Sequence, residues 1–185
     1  YTDLAGKRVT AGTYGQVAMY TMDALLEAYG MSEADLSGGA YQVASSSEYP
    51  DLFAAGHLDA CHINGNFPLA TLVQIDSTDP IRLLQPSDEA FEYILEKYPS
   101  FYTVDVEANQ YTGQTEPMTL LAYDGMLIGN GDLPGDFLAR VVELMVESGD
   151  ELFDRATWDQ CGTFITQENT VPQVYELLKS KGAVS

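Results

Sequence analysis

The stretch Lys7-Arg8-Val9-Thr10-Ala11-Gly12-Thr13-Tyr14-Gly15-Gln16 passes from a short β-prone run into a glycine-containing loop. Apolar residues then recur at Val17, Tyr20, Ala24, Leu25 and Ala28, the spacing of one helical face, and Gly30 follows as a C′ glycine. Strand, loop and helix in that order are the opening of a β-α-β unit.

The same order recurs downstream. Residues 40–44 read as a strand, Ser45-Ser46-Ser47 as a loop, and 48–55 as a short helix capped by Ser47 and closed by Gly56. Residues 58–63 are the next strand, followed by the loop Asn64-Gly65-Asn66 and a short helix over 67–75. Ile81-Arg82-Leu83-Leu84 is strand-like, and Ser87 or Asp88 opens a helix with Phe91, Ile94, Leu95 and Tyr98 on one face. Alternation of this kind through residue 98 predicts an α/β layer around one, mostly parallel, sheet.

Beyond residue 100 the pattern changes. Residues 101–106 can be extended, 108–117 form a polar loop, and 118–129 read as a strand bent near Asp124-Gly125. Helices follow. One runs from an Asp132 cap through Ser148 with Pro134 in its first turn, and another starts at Pro172 and ends near Lys179, Lys181 and Gly182. The expected division is an α/β lobe over residues 4–115 and a crossing strand with a helical tail over 116–185.

The charge balance narrows the function. Eight Lys and Arg stand against 28 Asp and Glu, a net charge of −20. A surface this acidic repels nucleic acid and anionic lipid, so neither is an expected partner. The acids are scattered along helices, as at Asp23, Glu27, Glu92 and Glu143, which reads as a solvated surface. No apolar run approaches the roughly 18 residues of a membrane span. Cys61 and Cys161 are expected to be buried free thiols, with a disulfide as the alternative.

Catalytic chemistry finds no constellation. The two histidines, His57 and His62, lie near Cys61, but neighbours on a strand point to opposite faces. Neither three metal ligands nor a Cys–His nucleophile pair converges from that spacing. No G-x-S-x-G, Walker or H-E-x-x-H motif is present, and Gly12-Thr13-Tyr14-Gly15 is not a dinucleotide fingerprint. The expectation is a protein without catalytic residues, metal or cofactor.

Binding is better supported. In an open α/β sheet, ligands lie beyond the carboxyl ends of the strands. Three loops stand there: Gly12 to Gln16, Ser45 to Ser47, and Asn64 to Phe67. Each carries small polar donors able to hold a carboxylate, and two add an aromatic ring.

Several fragments, in order, resemble the TAXI family of TRAP-transporter-associated extracytoplasmic solute receptors. They are Asp3-Leu4-Ala5-Gly6-Lys7-Arg8-Val9, Leu25-Leu26-Glu27-Ala28-Tyr29-Gly30, and Leu52-Phe53-Ala54-Ala55-Gly56-His57-Leu58-Asp59-Ala60. Glu96-Lys97-Tyr98-Pro99, Tyr111-Thr112-Gly113-Gln114 and Asp132-Leu133-Pro134 continue the likeness. The resemblance implies a type II periplasmic-binding-protein fold, with residues 4–115 as lobe two and 116–185 as the carboxyl-terminal part of lobe one. It further implies that other strands of lobe one precede Tyr1. The family's first loop is usually Pro-Gly-Ser-Gly-Thr, so Tyr14 replaces a small residue here.

What the resemblance implies for function is a periplasmic or otherwise extracytoplasmic receptor. It would carry a small organic anion or amino acid, carboxylate-bearing and glutamate-like, to a TRAP-type membrane permease. The expected ligand-binding residues are Thr13, Tyr14, Gly15 and Gln16 in the first loop, Asn64, Gly65, Asn66 and Phe67 in the third, and Tyr111 in the later loop. The neutral donors would orient the ligand's polar end and the rings would stack on it. Alternatives are a receptor for an ABC importer and a ligand-sensing domain of the same fold.

Overall fold

The computed structural model describes residues 1–123, 125, 128–130, 132–147, 176, 179 and 180. The chain divides into two units, Tyr1–Gly125 and Met126–Ser185.

The first unit is built on strand β1, Val9–Thr10, which pairs in parallel with β2, Ala60–Cys61, in the register Val9↔Ala60 and Thr10↔Cys61. Residues 41–44 run along the other side of β1. Gln42 N–H donates to the Val9 carbonyl at 2.8 Å and Ala44 N–H to that of Gly12 at 3.3 Å. Val9, Thr10 and Ala11 are wholly buried, as expected of a strand covered on both faces.

Alternation along β1 feeds two cores. Val9 and Ala11 pack with Met22, Leu25 and Leu26 of α1 (Val17–Ala28), and with Ile94 of α4 (Asp88–Lys97). A second core gathers Tyr49 of α2 (Tyr49–Ala54), Leu72 and Ile75 of α3 (Ala70–Asp76), Leu58 and Tyr111. Each buried Leu, Ile or Met side chain contributes about 1.5–3 kcal/mol. The unit thus mixes helix and sheet in the manner of an α/β layer.

The helix boundaries follow local chemistry. Helix α1 ends in a Schellman motif: Gly30 N–H donates to Glu27 and Met31 N–H to Leu26, with Gly30 at φ +68°. Ser87 caps α4, its Oγ accepting Ala90 N–H at 3.3 Å. The cap ahead of α2 is Ser45, not Ser47. Ser45 and Glu48 form a reciprocal capping box around a single 3₁₀ turn, Ser46–Glu48. Helix α3 starts at Ala70, not Phe67, because Phe67 precedes Pro68 and such a residue is driven out of the helical region.

Two expected strands are not strands. In residues 41–44 the buried positions are Tyr41 and Ala44, a spacing of three that a strand's two-residue period does not give. That segment bonds to β1 only through alternate N–H groups. Residues 81–84 lie between Pro80 and Pro86, and the Ile81 N–H donates to the Asp76 carboxylate at 3.0 Å rather than to a ladder. The parallel sheet over residues 4–98 therefore reduces to β1 and β2.

Strands β3 (Phe101–Val106) and β4 (Met118–Tyr123) form a separate antiparallel pair, from Phe101↔Tyr123 to Val106↔Met118. Of the strand expected over 118–129, Met118–Tyr123 is β4 and residues 125, 128 and 129 are not strand, while 124, 126 and 127 lie outside the described residues. The loop between them is organised by Gln114, whose buried side chain donates to the carbonyls of Glu107 and Glu116 and accepts from Gln110 N–H.

In the second unit, α5 spans Gly135–Glu147, and the Pro134 carbonyl accepts Leu138 N–H at 3.1 Å. Pro134 therefore stands just before the helix. The helix expected from Pro172 and Cys161 fall largely or wholly outside the described residues, although Glu176, Lys179 and Ser180 are helical.

Candidate ligand-binding site

Because β1 and β2 are parallel, their carboxyl ends open at one edge. The loops that follow them, 11–16 and 62–69, share that edge, and Ser45–Ser47 follow the segment hydrogen-bonded to β1. This is the edge where α/β sheets bind ligands.

The first loop is a tight turn. Gln16 folds back so that its Oε1 accepts Thr13 N–H at 3.0 Å, and its own N–H donates to the Thr13 carbonyl at 3.2 Å. Gly12, at φ +92°, lies so close that a Cβ there would overlap Gln16 Oε1. Beneath the loop, the Tyr49 hydroxyl lies against Thr10 and the Gly12 backbone, and burial raises its pKa. Tyr14 stands at the crest, 76% exposed, and Gly15 and Gln16 are exposed beside it. Val17 and Tyr20 on the first turn of α1 are also exposed.

The third loop is held at both ends by tyrosines. Asn64 Nδ2 donates to the Tyr123 hydroxyl at 3.2 Å. Leu69 N–H donates to the Tyr111 hydroxyl at 2.8 Å, and the Phe67 ring meets Tyr111 edge-on, centroids 5.3 Å apart. Gly65 and Asn66 are exposed, while Asn64 and Phe67 are half-buried. Tyr111 itself is only 4% exposed and supports the loop from below. The structure thus brings Phe67 and Tyr111 into contact, and Thr13 and Gln16, while the first and third loops leave the same end of two paired parallel strands.

The Ser45–Ser47 loop is occupied with capping. Ser45 N–H donates to Glu48 Oε2 at 2.8 Å and the Ser45 and Ser47 hydroxyls bond each other. These bonds, first that from the Ser45 backbone, hold the Glu48 pKa below its ordinary value.

Two ionisable groups at the end of β2, Cys61 and His62, are held neutral. Burial pushes the Cys61 thiol up to about 12. Burial also lowers the His62 imidazole to about 4, opposed by the Asn64 side chain, and His62 Nε2 is buried without a hydrogen-bond partner among the described residues. A protonated thiol beside a neutral imidazole is not an activated nucleophile. Among the described residues no group of three His, Cys, Asp or Glu is arranged to hold a metal ion.

A cleft of about 310 Å3 lies elsewhere, lined by Arg8, Gln42, Val43, Ala44, Leu52, His57 and Leu58. Its guanidinium is committed: Arg8 bonds both oxygens of Asp59, at 2.7 and 3.0 Å, and the Gly56 carbonyl. That pairing holds the Asp59 carboxyl below the usual carboxylate range.

Sequence reasoning missed Tyr123 and Tyr49, which position the loops from distant chain segments, and no local signal marks either. The Ser45-x-x-Glu48 capping box was readable and gives the Ser45–Ser47 loop a local role. Among the described residues, no helix is long and apolar enough to cross a membrane. A family model supplies the remaining comparison: it matches residues 1–159, most of the chain. With that match comes an extracytoplasmic, transport-related role involving a small-molecule ligand and a membrane transporter. The chain belongs to the NMT1-like family, a periplasmic solute-binding-like family.

Proposed function

We propose that this chain captures a small organic solute outside the cytoplasm and delivers it to a TRAP-type secondary transporter, without catalysing a reaction on it. The fold in this reading is the type II periplasmic-binding fold, with residues 4–115 in lobe two and 116–185 in lobe one. The ligand bears a carboxylate, as glutamate does. Support comes chiefly from the parallel pairing of Val9–Thr10 with Ala60–Cys61, which opens loops 12–16 and 64–67 at one edge. Neutral donors and the exposed Tyr14 ring populate that edge, a composition suited to reversible capture.

A ligand that binds only the folded state raises its melting temperature by mass action. Thermal-shift screening of the protein against amino acids, dicarboxylates and their methyl esters tests the proposal. A carboxylate compound should raise Tm by several degrees and its ester should not. Equal shifts for acid and ester would overturn the carboxylate assignment. The transporter half is tested by gene neighbourhood: an adjoining permease with no ATPase fits, and an adjoining transport ATPase contradicts it.

A further inference from the structure

Asn64 begins the third loop three residues after β2 ends, and its amide reaches the Tyr123 hydroxyl across 59 positions of chain. Tyr123 is the last residue of β4 and is itself fixed. It sits opposite Phe101 in the ladder, the two rings meet edge-on at 6.1 Å, and Phe101 in turn meets Tyr98 at 6.2 Å. The other end of the loop is tied to Tyr111 through Leu69 N–H. Between the two ties stands Gly65, at φ +157°, whose added Cβ would press on Leu69 at 3.1 Å. A loop tied at both ends, with one glycine hinge between, has few conformations to lose when it orders around a ligand.

The two ties differ. Tyr111 is buried in the second core and its hydroxyl accepts a backbone N–H, so it is part of the fold. Tyr123 is half-buried, and its hydroxyl accepts from a side-chain amide, so it selects how that amide points. From this geometry we propose that Tyr123 is a positioning residue for the binding edge: its hydroxyl holds Asn64 and thereby sets the shape of the Asn64–Phe67 loop. The inference rests on the reading of that edge as the ligand site. Tyr123 touches the loop and need not touch the ligand.

Tyr123→Phe removes the hydroxyl and keeps the ring, so packing against Phe101 survives and only the tie is cut. Hydrogen–deuterium exchange of peptides covering residues 62–69 reads the tie without any ligand. Loop exchange should become about fivefold faster in Tyr123→Phe, the effect of one lost hydrogen bond, with exchange in helices α1 and α4 much less affected and Tm lowered by no more than about 4 °C. Unchanged loop exchange, or an increase spread over the whole unit, would overturn the proposal. Calorimetric titration with L-glutamate forms a second arm. If the wild type binds glutamate, the variant should bind it about tenfold more weakly, and equal affinity would overturn the positioning role. If the wild type does not bind it, the glutamate-like assignment fails, and the exchange arm still decides the role of Tyr123.

Discussion

Gly113 lies against Ile81 so closely that a Cβ on the glycine would overlap the Ile81 carbonyl oxygen. The contact clamps the Tyr111–Gln114 turn onto residues 81–84, and Asp76 completes the clamp. Its carboxylate accepts from Ile81 N–H at 3.0 Å and from both Thr112 N–H and Oγ1 at 2.8 Å. Gly113→Ala forces backbone against backbone, which no rotamer change relieves. The expected cost is at least about 2 kcal/mol, read as a lowered urea midpoint. A midpoint within error of the wild type would show that the clamp is looser than described.

Tyr111→Phe tests the tie beneath the third loop. The ring contact with Phe67 survives, but Leu69 N–H loses its acceptor. Leaving a buried donor unpaired costs about 1–3 kcal/mol. Equilibrium unfolding should show a loss of that size, whereas Tyr123→Phe, which frees only a half-buried side-chain amide, should cost about 1 kcal/mol or less.

His62 makes stability depend on pH. Burial holds its folded-state pKa at about 4, below the ordinary value of 6.5. As pH falls from 6.5 towards 4, the unfolded chain gains a proton that the folded chain refuses, so the folded state loses stability through that window and no further below it. His62→Leu removes both this linkage and an unpartnered buried nitrogen. Its stability relative to wild type should rise by about 3 kcal/mol between pH 7 and pH 4. A gap independent of pH would mean that the imidazole titrates normally.

The net charge of −20 makes stability depend on salt. Like charges spread over one surface repel, and salt shortens the reach of that repulsion from about 10 Å at 0.1 M to about 3 Å at 1 M. Raising NaCl from 0.1 to 2 M should increase the urea midpoint. A fall would mean that pairs such as Arg8–Asp59 and Arg140–Glu143 outweigh the excess acid.

Local chemistry was legible in the sequence where it was short-range. From Val9 through Gly30 the order of strand, glycine turn, helix and C′ glycine folds as read, but the buried face of α1 runs through Met22, Ala24, Leu25 and Leu26 and leaves Val17 and Tyr20 exposed. Residues 81–84 misled because apolar composition resembles a strand while Pro80 and Pro86 deny it a full ladder. Residues 41–44 misled because β-propensity says nothing about whether burial recurs every second residue. At the candidate site, the loops were visible as loops, but their supports were not. Asn64 meets Tyr123 and Leu69 meets Tyr111 only after folding, across separations that carry no local pattern.

In the proposed function a small solute binds at the edge crowned by Tyr14. Native mass spectrometry of the protein isolated from its source cells tests it most directly, comparing wild type with Tyr14→Ala and Glu89→Ala. Glu89 is an exposed residue in the first turn of α4 and serves as the surface control. Wild type and Glu89→Ala should retain a stoichiometric small organic molecule, and Tyr14→Ala should retain at least about tenfold less, the loss of one aromatic anchor. Retention by Tyr14→Ala together with loss from Glu89→Ala would contradict the placement of the site at the Gly12–Gln16 loop.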